Sequence, residues 1–348
     1  MNLSERIASF EFLGNLLRMY HEQSEEPALR PLQDAARHAF FQNPWFTPVQ
    51  IRTALNSLGR VLTRENLERW ISLYQLPATK PAIQRTIGVV MAGNIPAVGF
   101  HDFLCVLISG HRILAKLSAS DDQILPGMAG VLCEYNPEWR EMIIFTTGKL
   151  ENFEAVIATG STNTSRYFEY YFGRYPNIIR KNRNSVAVLN GQETESDLHA
   201  LAGDILLYFG MGCRSISKVY VPHGYDFTPL IMAFEKFRDY ADHNKFRNNY
   251  EYTRSILLVN QDMFMDNGFF LLKEDASITS RIAMLHYEFY RAVEEVVQNL
   301  HENMEFIQCI VSNMNLNINH IQCGDSQNPA LWDYADGVDT MAFLASLK

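Results

Sequence analysis

Cys213 is the residue whose setting in the sequence most suits it to covalent chemistry. It stands in Gly210-Met211-Gly212-Cys213-Arg214-Ser215, between a helix that ends at the glycines and a strand expected over 216–221. Glycines there allow torsions closed to other residues and a close approach by a substrate. A thiol at such a junction attacks a carbonyl carbon while its own backbone N–H faces the oxyanion that forms. A free thiol, with a pKa of about 8.5, is only slightly ionised at neutral pH, so nearby positive charge helps. Arg214 and Lys218 supply that charge within a few residues. On spacing alone, a small buried cysteine beside a tight turn is the simpler account.

Two further turns carry polar groups at the ends of expected strands. Gly93-Asn94-Ile95-Pro96 interrupts an apolar run. An Asn carboxamide there can donate to an oxyanion, and losing such a donor costs about 10²–10³ in rate. Asn and Pro are also ordinary turn formers. Ala158-Thr159-Gly160-Ser161-Thr162-Asn163 follows a strand and opens a helix. Free N–H groups and hydroxyls at a helix start favour phosphate, although the same residues also serve as plain helix caps. The stretch is not a GxGxxG fingerprint, and no Walker sequence occurs. Lys116, near the end of a strand expected over 113–117, is placed either to reach a ribose or its phosphate or to sit solvated.

The other cysteines read as structural. Cys105 and Cys133 fall in helical patterns, Cys309 in a strand pattern, and Cys323 near the last turn. None forms a CxxC pair, and the ten histidines show no zinc-ligand spacing. Metal catalysis is therefore not expected.

These residues need a scaffold, and the pattern supplies one. Ile7, Phe10, Leu13, Leu17 and Tyr20 recur at helical spacing, and 62–74 gives another helical pattern. From 87 onward, short apolar runs alternate with helical segments. Strands are expected over 87–92, 113–117, 142–145, 155–158, 178–180 and 186–189, with helices over 97–109 and 163–172. Such alternation indicates a mostly parallel, doubly wound sheet. A further helix opens at Asp197 with Ser196 as its expected cap. Beyond it, strands are expected over 216–221, 255–259, 269–272, 306–311 and 318–322, with a helix around 284–300. The sheet pattern restarts after Asn190-Gly191, which puts a domain boundary near 195.

Composition narrows the class. The 348 residues are 47% hydrophobic and 20% charged, which excludes a disordered or collagen-like chain. A net charge of −9 argues against a general nucleic-acid-binding surface. Five cysteines, odd in number and widely spread, make a poor disulfide framework and suggest a reducing cytosol. The charged first 26 residues hold no signal-peptide core, and the longest apolar stretch, 103–109, is far short of a spanning helix. A cytoplasmic protein without a membrane span is expected.

Taken in order, the motifs resemble those of the aldehyde dehydrogenase superfamily. Ile87-Gly88-Val89-Val90-Met91-Ala92-Gly93-Asn94-Ile95-Pro96 resembles the segment that carries the oxyanion-hole Asn. Ser109-Gly110-His111-Arg112-Ile113-Leu114-Ala115-Lys116-Leu117-Ser118 is similar to the AGN-x-V-x-x-K-x-S strand, whose Lys binds the adenosine ribose. Thr159-Gly160-Ser161-Thr162 is similar to the TGS turn that holds the cofactor pyrophosphate. Asn184-Ser185-Val186-Ala187-Val188-Leu189 resembles the strand before the catalytic helix. Gly210-Met211-Gly212-Cys213 resembles GQ-x-C, with Met211 in place of Gln. This ordered set reverses the reading of Cys213 from structural to catalytic.

Within that superfamily the chain looks most like the LuxC-type acyl-CoA reductases, through its Gly-Asn-Ile-Pro turn and its Gly-x-x-Cys-Arg-Ser turn. Residues 318–324, followed by Ala335-Asp336-Gly337, are loosely similar to that group's closing strand and DG turn. Two departures stand out. Aldehyde-oxidising members carry a Glu that activates water, whereas Asn177-Ile178-Ile179-Arg180-Lys181-Asn182 has no acid. The second Gly after the TGS turn is replaced by Thr164-Ser165-Arg166. The missing acid fits reduction of an acyl thioester better than oxidation to an acid.

The resemblance implies an α/β, aldehyde-dehydrogenase-like fold with a helical N-terminal region. A doubly wound nucleotide-binding domain would fill 1–195 and a second α/β catalytic domain 196–348. It implies NADPH or NADH held by Lys116, Ser118, Gly160, Ser161 and Thr162. Cys213 would be the nucleophile and Asn94 the oxyanion donor, with acyl-CoA or another acyl thioester as substrate. A homo-oligomer or an acyl-donor partner protein is also implied. The alternatives are an acylating or semialdehyde dehydrogenase, and a non-catalytic subunit that keeps the fold. The chain is also shorter than a typical family member.

Overall fold

The computed structural model describes residues 1–79 and 83–347. They divide into two compact units, Met1–Asn182 with Ala330–Lys348, and Arg183–Pro329.

The first unit opens with α1 (Leu3–Arg18), α2 (Arg30–Gln42), α3 (Pro48–Val61) and α4 (Arg64–Ile71). Asn2 and Glu5 start α1 with a reciprocal capping box, and Thr47 and Thr63 cap α3 and α4. The stripe Ile7, Phe10, Leu13 and Leu17 is buried, as its spacing requires. Then come β1 (Thr86–Val90), α5 (Phe100–Ile108), β2 (Arg112–Lys116), α6 (Ile124–Tyr135), β3 (Ile143–Thr146), β4 (Ala155–Thr159), α7 (Thr162–Phe172) and β5 (Asn177–Arg180). All pairings in this sheet are parallel, in the order β3-β2-β1-β4-β5. The order reverses between β1 and β4. In open α/β sheets that reversal leaves a crevice beyond the carboxyl ends of the strands, where ligands bind. Three candidate groups lie at carboxyl ends here: the Asn94 turn after β1, Lys116 at the end of β2 with Ser118 just beyond it, and the Gly160-Ser161 turn after β4.

α5 begins at Phe100 rather than 97. Ala97 takes a left-handed φ of 58°, which breaks the helix, and Gly99 is the cap.

The second unit holds β6 (Asn184–Val188), α8 (Glu195–Leu206), β7 (Ile216–Pro222), α9 (Thr228–Ala233), α10 (Asn244–Asn260), β8 (Met265–Asp266), β9 (Leu271–Glu274), β10 (Met284–Tyr290), α11 (Val293–Glu302) and β11 (Ile307–Val311). Its sheet runs β11-β6-β7-β10-β9-β8, parallel except for the β8–β9 pair. β6 already belongs to this sheet, so the two units part between Asn182 and Arg183. Residues 330–347 return to the first unit and end in α12 (Thr340–Ser346).

Four further expectations change. Thr194, not Ser196, caps α8, through a capping box with Asp197. Residues 255–259 are the last turns of α10. Their β-branched look misleads, because Phe246, Tyr250, Thr253 and Leu257 bury one helical face. Residues 284–290 form a strand whose first three residues are all buried, and the helix starts only at Val293. The expected strand over 318–322 reduces to a single bridge between Ile321 and Val311. No helix among the described residues is long and apolar enough to cross a membrane.

Candidate active site

The turn that carries Cys213 is built on strained backbone. After α8, Tyr208, Phe209 and Gly210 take φ of 54°, 59° and 72° in succession. Bulky residues rarely adopt this region, and each such residue costs on the order of 1–3 kcal/mol. Packing offsets the cost. The Phe209 ring lies 4.3 Å from Tyr240 and 4.6 Å from His243, centroid to centroid, and both Tyr208 and Phe209 are buried.

Hydrogen bonds then set the peptide planes. Met211 N–H donates to Tyr208 C=O (3.1 Å), and Gly212 N–H donates to the Ser215 hydroxyl (3.2 Å). Ser215 N–H donates back to Gly212 C=O (3.0 Å). In a planar trans peptide the C=O and N–H point to opposite sides. The Cys213 N–H is therefore directed away from Ser215. On the other flank, the Ser185 hydroxyl on β6 donates to Cys213 C=O (3.0 Å) and lies 2.9 Å from Cys309 Sγ. Ser185 and Ser215 were not singled out from the sequence. Their roles depend on strand pairing, which no local pattern shows.

The charges expected to favour thiolate are placed differently. Lys218 is buried, and its ammonium bonds Glu288 (2.5 Å) and Ala276 C=O (2.7 Å) over the Tyr220 ring. That charge is neutralised across β7 and β10. Arg214 reaches Ser326 C=O (3.5 Å), and its charge favours ionisation of Cys309. Burial raises the thiols of Cys105, Cys133 and Cys309, and pushes Cys323 to about 12. A thiolate at Cys213 further disfavours ionisation at Cys309.

In the first unit, Asn94 is exposed on a turn braced by the segment after β2. A Cβ on Gly93 would stand 2.5 Å from Ser118 Oγ, so only glycine fits. Ala97 N–H donates to Asp121 Oδ2 (2.8 Å), and Asp121 N–H donates to Ser118 C=O (3.0 Å). Ser118 is thus placed to support the Asn94 turn.

Burial pushes the Asp121 carboxyl up to about 6, against the pull of the Ala97 and Ile124 N–H groups. An unfolded Asp titrates near pH 4. The folded state therefore holds the proton more tightly. The stability this proton contributes is full below about pH 4 and is lost as pH rises through about 6. Ionising Asp121 should cost on the order of 3 kcal/mol by neutral pH. Denaturant midpoints measured from pH 4 to 7 should fall in the native protein and fall less in Asp121→Asn. Equal slopes in the two would contradict this assignment.

After β4, Gly160 N–H donates to Arg180 C=O (3.2 Å). A Cβ on Gly160 would meet Phe168 Cε2 at 2.8 Å and Thr164 at 3.1 Å. Ser161 caps α7 by accepting from Thr164 N–H (3.2 Å), and its Oγ lies 2.9 Å from Thr164 Oγ1. Thr162 opens the helix; its side chain lies outside the described atoms. Lys116 is half-buried at the end of β2, and its ammonium has no partner among the described residues. An unpaired ammonium and a helix N-terminus, both at carboxyl ends of a sheet with a switch point, fit the ribose and phosphates of a nucleotide.

Arg180 ends β5 and is buried. Its Nη1 bonds both oxygens of Asp102 on α5 (2.8 and 2.6 Å), and its Nη2 donates to Thr340 Oγ1 (2.7 Å).

No protein-family model matches the chain, and no curated protein matches it. Solved structures do. Aldehyde dehydrogenase 21 from Physcomitrella patens, in complex with succinate, superposes with a TM-score of 0.65 at 12% identity, over 99% of this chain and 84% of that one. The indole-3-acetaldehyde dehydrogenase AldA of P. syringae, a mutant in complex with NAD+ and IAA, gives 0.64 at 13%, over 91% and 73%. The Delta-pyrroline-5-carboxylate dehydrogenase of Mycobacterium tuberculosis gives 0.63 at 13%, over 99% and 77%. The chain has an aldehyde-dehydrogenase-like α/β fold.

Proposed function

We propose that this chain is a nicotinamide-dependent oxidoreductase acting on aldehyde or acyl groups, and that it reduces an acyl thioester such as acyl-CoA to an aldehyde through Cys213. The observation that carries the proposal is the Cys213 turn, in which the thiol sits beside an N–H directed away from the Ser215 hydrogen bonds. The similar structures named above are aldehyde dehydrogenases, and the fold supports the class of chemistry without fixing its direction. The absence of an acid over 177–182 favours the reductive direction.

In this reading the Cys213 thiolate attacks the thioester carbonyl. Its own N–H donates to the oxyanion, and the resemblance gives Asn94 the second donor role. The tetrahedral centre collapses, the C–S bond to CoA breaks, and solvent protonates the departing thiolate. Cys213 is left acylated. Lys116, Gly160, Ser161 and the start of α7 would hold the cofactor, with Ser118 bracing the Asn94 turn. When bound, the reduced nicotinamide supplies the hydride that takes the acyl group to the aldehyde level. The Cys213–carbon bond then breaks to release aldehyde and thiolate. One acyl-CoA, one NAD(P)H and one proton yield aldehyde, CoA and NAD(P)+. The cofactor is either NADPH or NADH.

The test is direction. Supplied with acyl-CoA and NAD(P)H, the protein should form aldehyde and free CoA in equal amounts. Supplied with aldehyde and NAD(P)+ but no CoA, it should form little acid. Rapid acid formation in the second assay, with none of the first activity, would favour an ordinary semialdehyde or aldehyde dehydrogenase and overturn the reductive assignment.

A further inference from the structure

We infer that Asp204 is a positioning residue for the nucleophile turn, acting through residues 324–327; the inference rests on the reading of Cys213 as the acyl-accepting thiol. Asp204 lies on α8 and is 1% exposed. A carboxylate so buried needs several donors. It receives Gly324 N–H (2.6 Å), Ser326 N–H (3.1 Å) and the Ser326 hydroxyl (2.7 Å). Gly324 takes a φ of 97°, and a Cβ on it would stand 3.1 Å from Ala200 Cβ, so this segment lies close against α8.

The same segment reaches the turn. Gln327 Nε2 donates to Asp204 C=O and to the Ser215 hydroxyl, each at 3.3 Å. Arg214 donates to Ser326 C=O (3.5 Å). Ser215 in turn holds Gly212 on both sides: its hydroxyl accepts Gly212 N–H, and its own N–H donates to Gly212 C=O, the carbonyl of the Gly212–Cys213 peptide. Asp204 fixes 324–327, Gln327 fixes the Ser215 hydroxyl, and Ser215 fixes Gly212, whose carbonyl shares a peptide plane with the Cys213 N–H that would donate to the oxyanion. The value of such a donor depends on its being held in place before the charge forms. A small misplacement can cost up to about 10² in rate. The latch should therefore matter for acyl transfer, which builds an oxyanion, and much less for alkylation, which does not.

The experiment compares the two reactions at Cys213 in the full-length protein. Acyl transfer is followed as the burst of nitrophenol from p-nitrophenyl acetate. Alkylation by iodoacetamide is followed by mass spectrometry of the Cys213 peptide. Asp204→Asn sets an amide N–H against the Gly324 N–H. Gln327→Ala removes a half-buried side chain and serves as the second variant, one that leaves the core intact. Each should slow acyl transfer by about tenfold or more while changing alkylation by less than about threefold. Equal losses in both reactions, or a loss in neither, would overturn the role given to Asp204. Absence of acyl transfer to Cys213 in the native protein would instead overturn the nucleophile reading, and the latch with it.

Discussion

Replacing Cys213 by Ala is expected to lower acyl-CoA-dependent NAD(P)H oxidation by roughly 10⁴–10⁶, to near the background rate. The size follows from the chemistry. Covalent catalysis divides one hard displacement into two easier ones, and no neighbouring group can take over the first step. Ser185 is buried and its hydroxyl is committed to Cys213 C=O. Cys309, the nearest other thiol in the bonded network, is held protonated by burial. Cys213 is only partly buried and lies in a turn, so removing its sulfur opens no large cavity. The thermal midpoint should therefore stay close to that of the native protein. A variant that keeps a tenth of the activity would show that Cys213 is not the nucleophile.

Replacing Arg180 by Ala is expected to have the largest effect on stability. Asp102 would be left buried without its partner, and breaking such a pair costs about 3–5 kcal/mol. The loss reaches three elements, since Arg180 joins β5, α5 through Asp102, and α12 through Thr340. For a unit of this size the midpoint should fall by roughly 10 °C. Limited proteolysis should also cut more readily near residues 330–339. The paired change of Asp102→Leu with Arg180→Met should cost clearly less than Arg180→Ala, because no charge is left stranded. Calorimetry on the three proteins checks both points; a shift of only one or two degrees in Arg180→Ala would contradict the role of this ion pair.

Signals that live within a few residues of one another were legible in the sequence. The runs before Gly93 and Gly160 announced β1 and β4, and the glycines at 210 and 212 announced the turn at Cys213; α8 itself ends earlier, at Leu206, because Tyr208 and Phe209 take left-handed torsions. The doubly wound character followed from the alternation of runs. What could not be read depended on which strands lie side by side. Ser185 meets the Cys213 carbonyl only because β6 pairs with β7. Lys218 looked available to the thiol from its distance in sequence, yet β10 brings Glu288 to it. Asp204 lies on α8 with nothing nearby in sequence to mark it, and its partners come from a loop 120 residues and more away. Residues 284–290 read as helix in sequence because the buried start of this strand, Met284 to His286, shows no in-out alternation.

The most direct measurement is the mass of the Cys213 peptide after the protein is mixed with acyl-CoA in the absence of nicotinamide and quenched in acid. Without hydride the acylated enzyme should accumulate, with the added mass of the acyl group on Cys213 and one equivalent of CoA released. An unmodified Cys213 peptide, or an acyl group on any of the other four cysteines instead, would contradict the proposed mechanism.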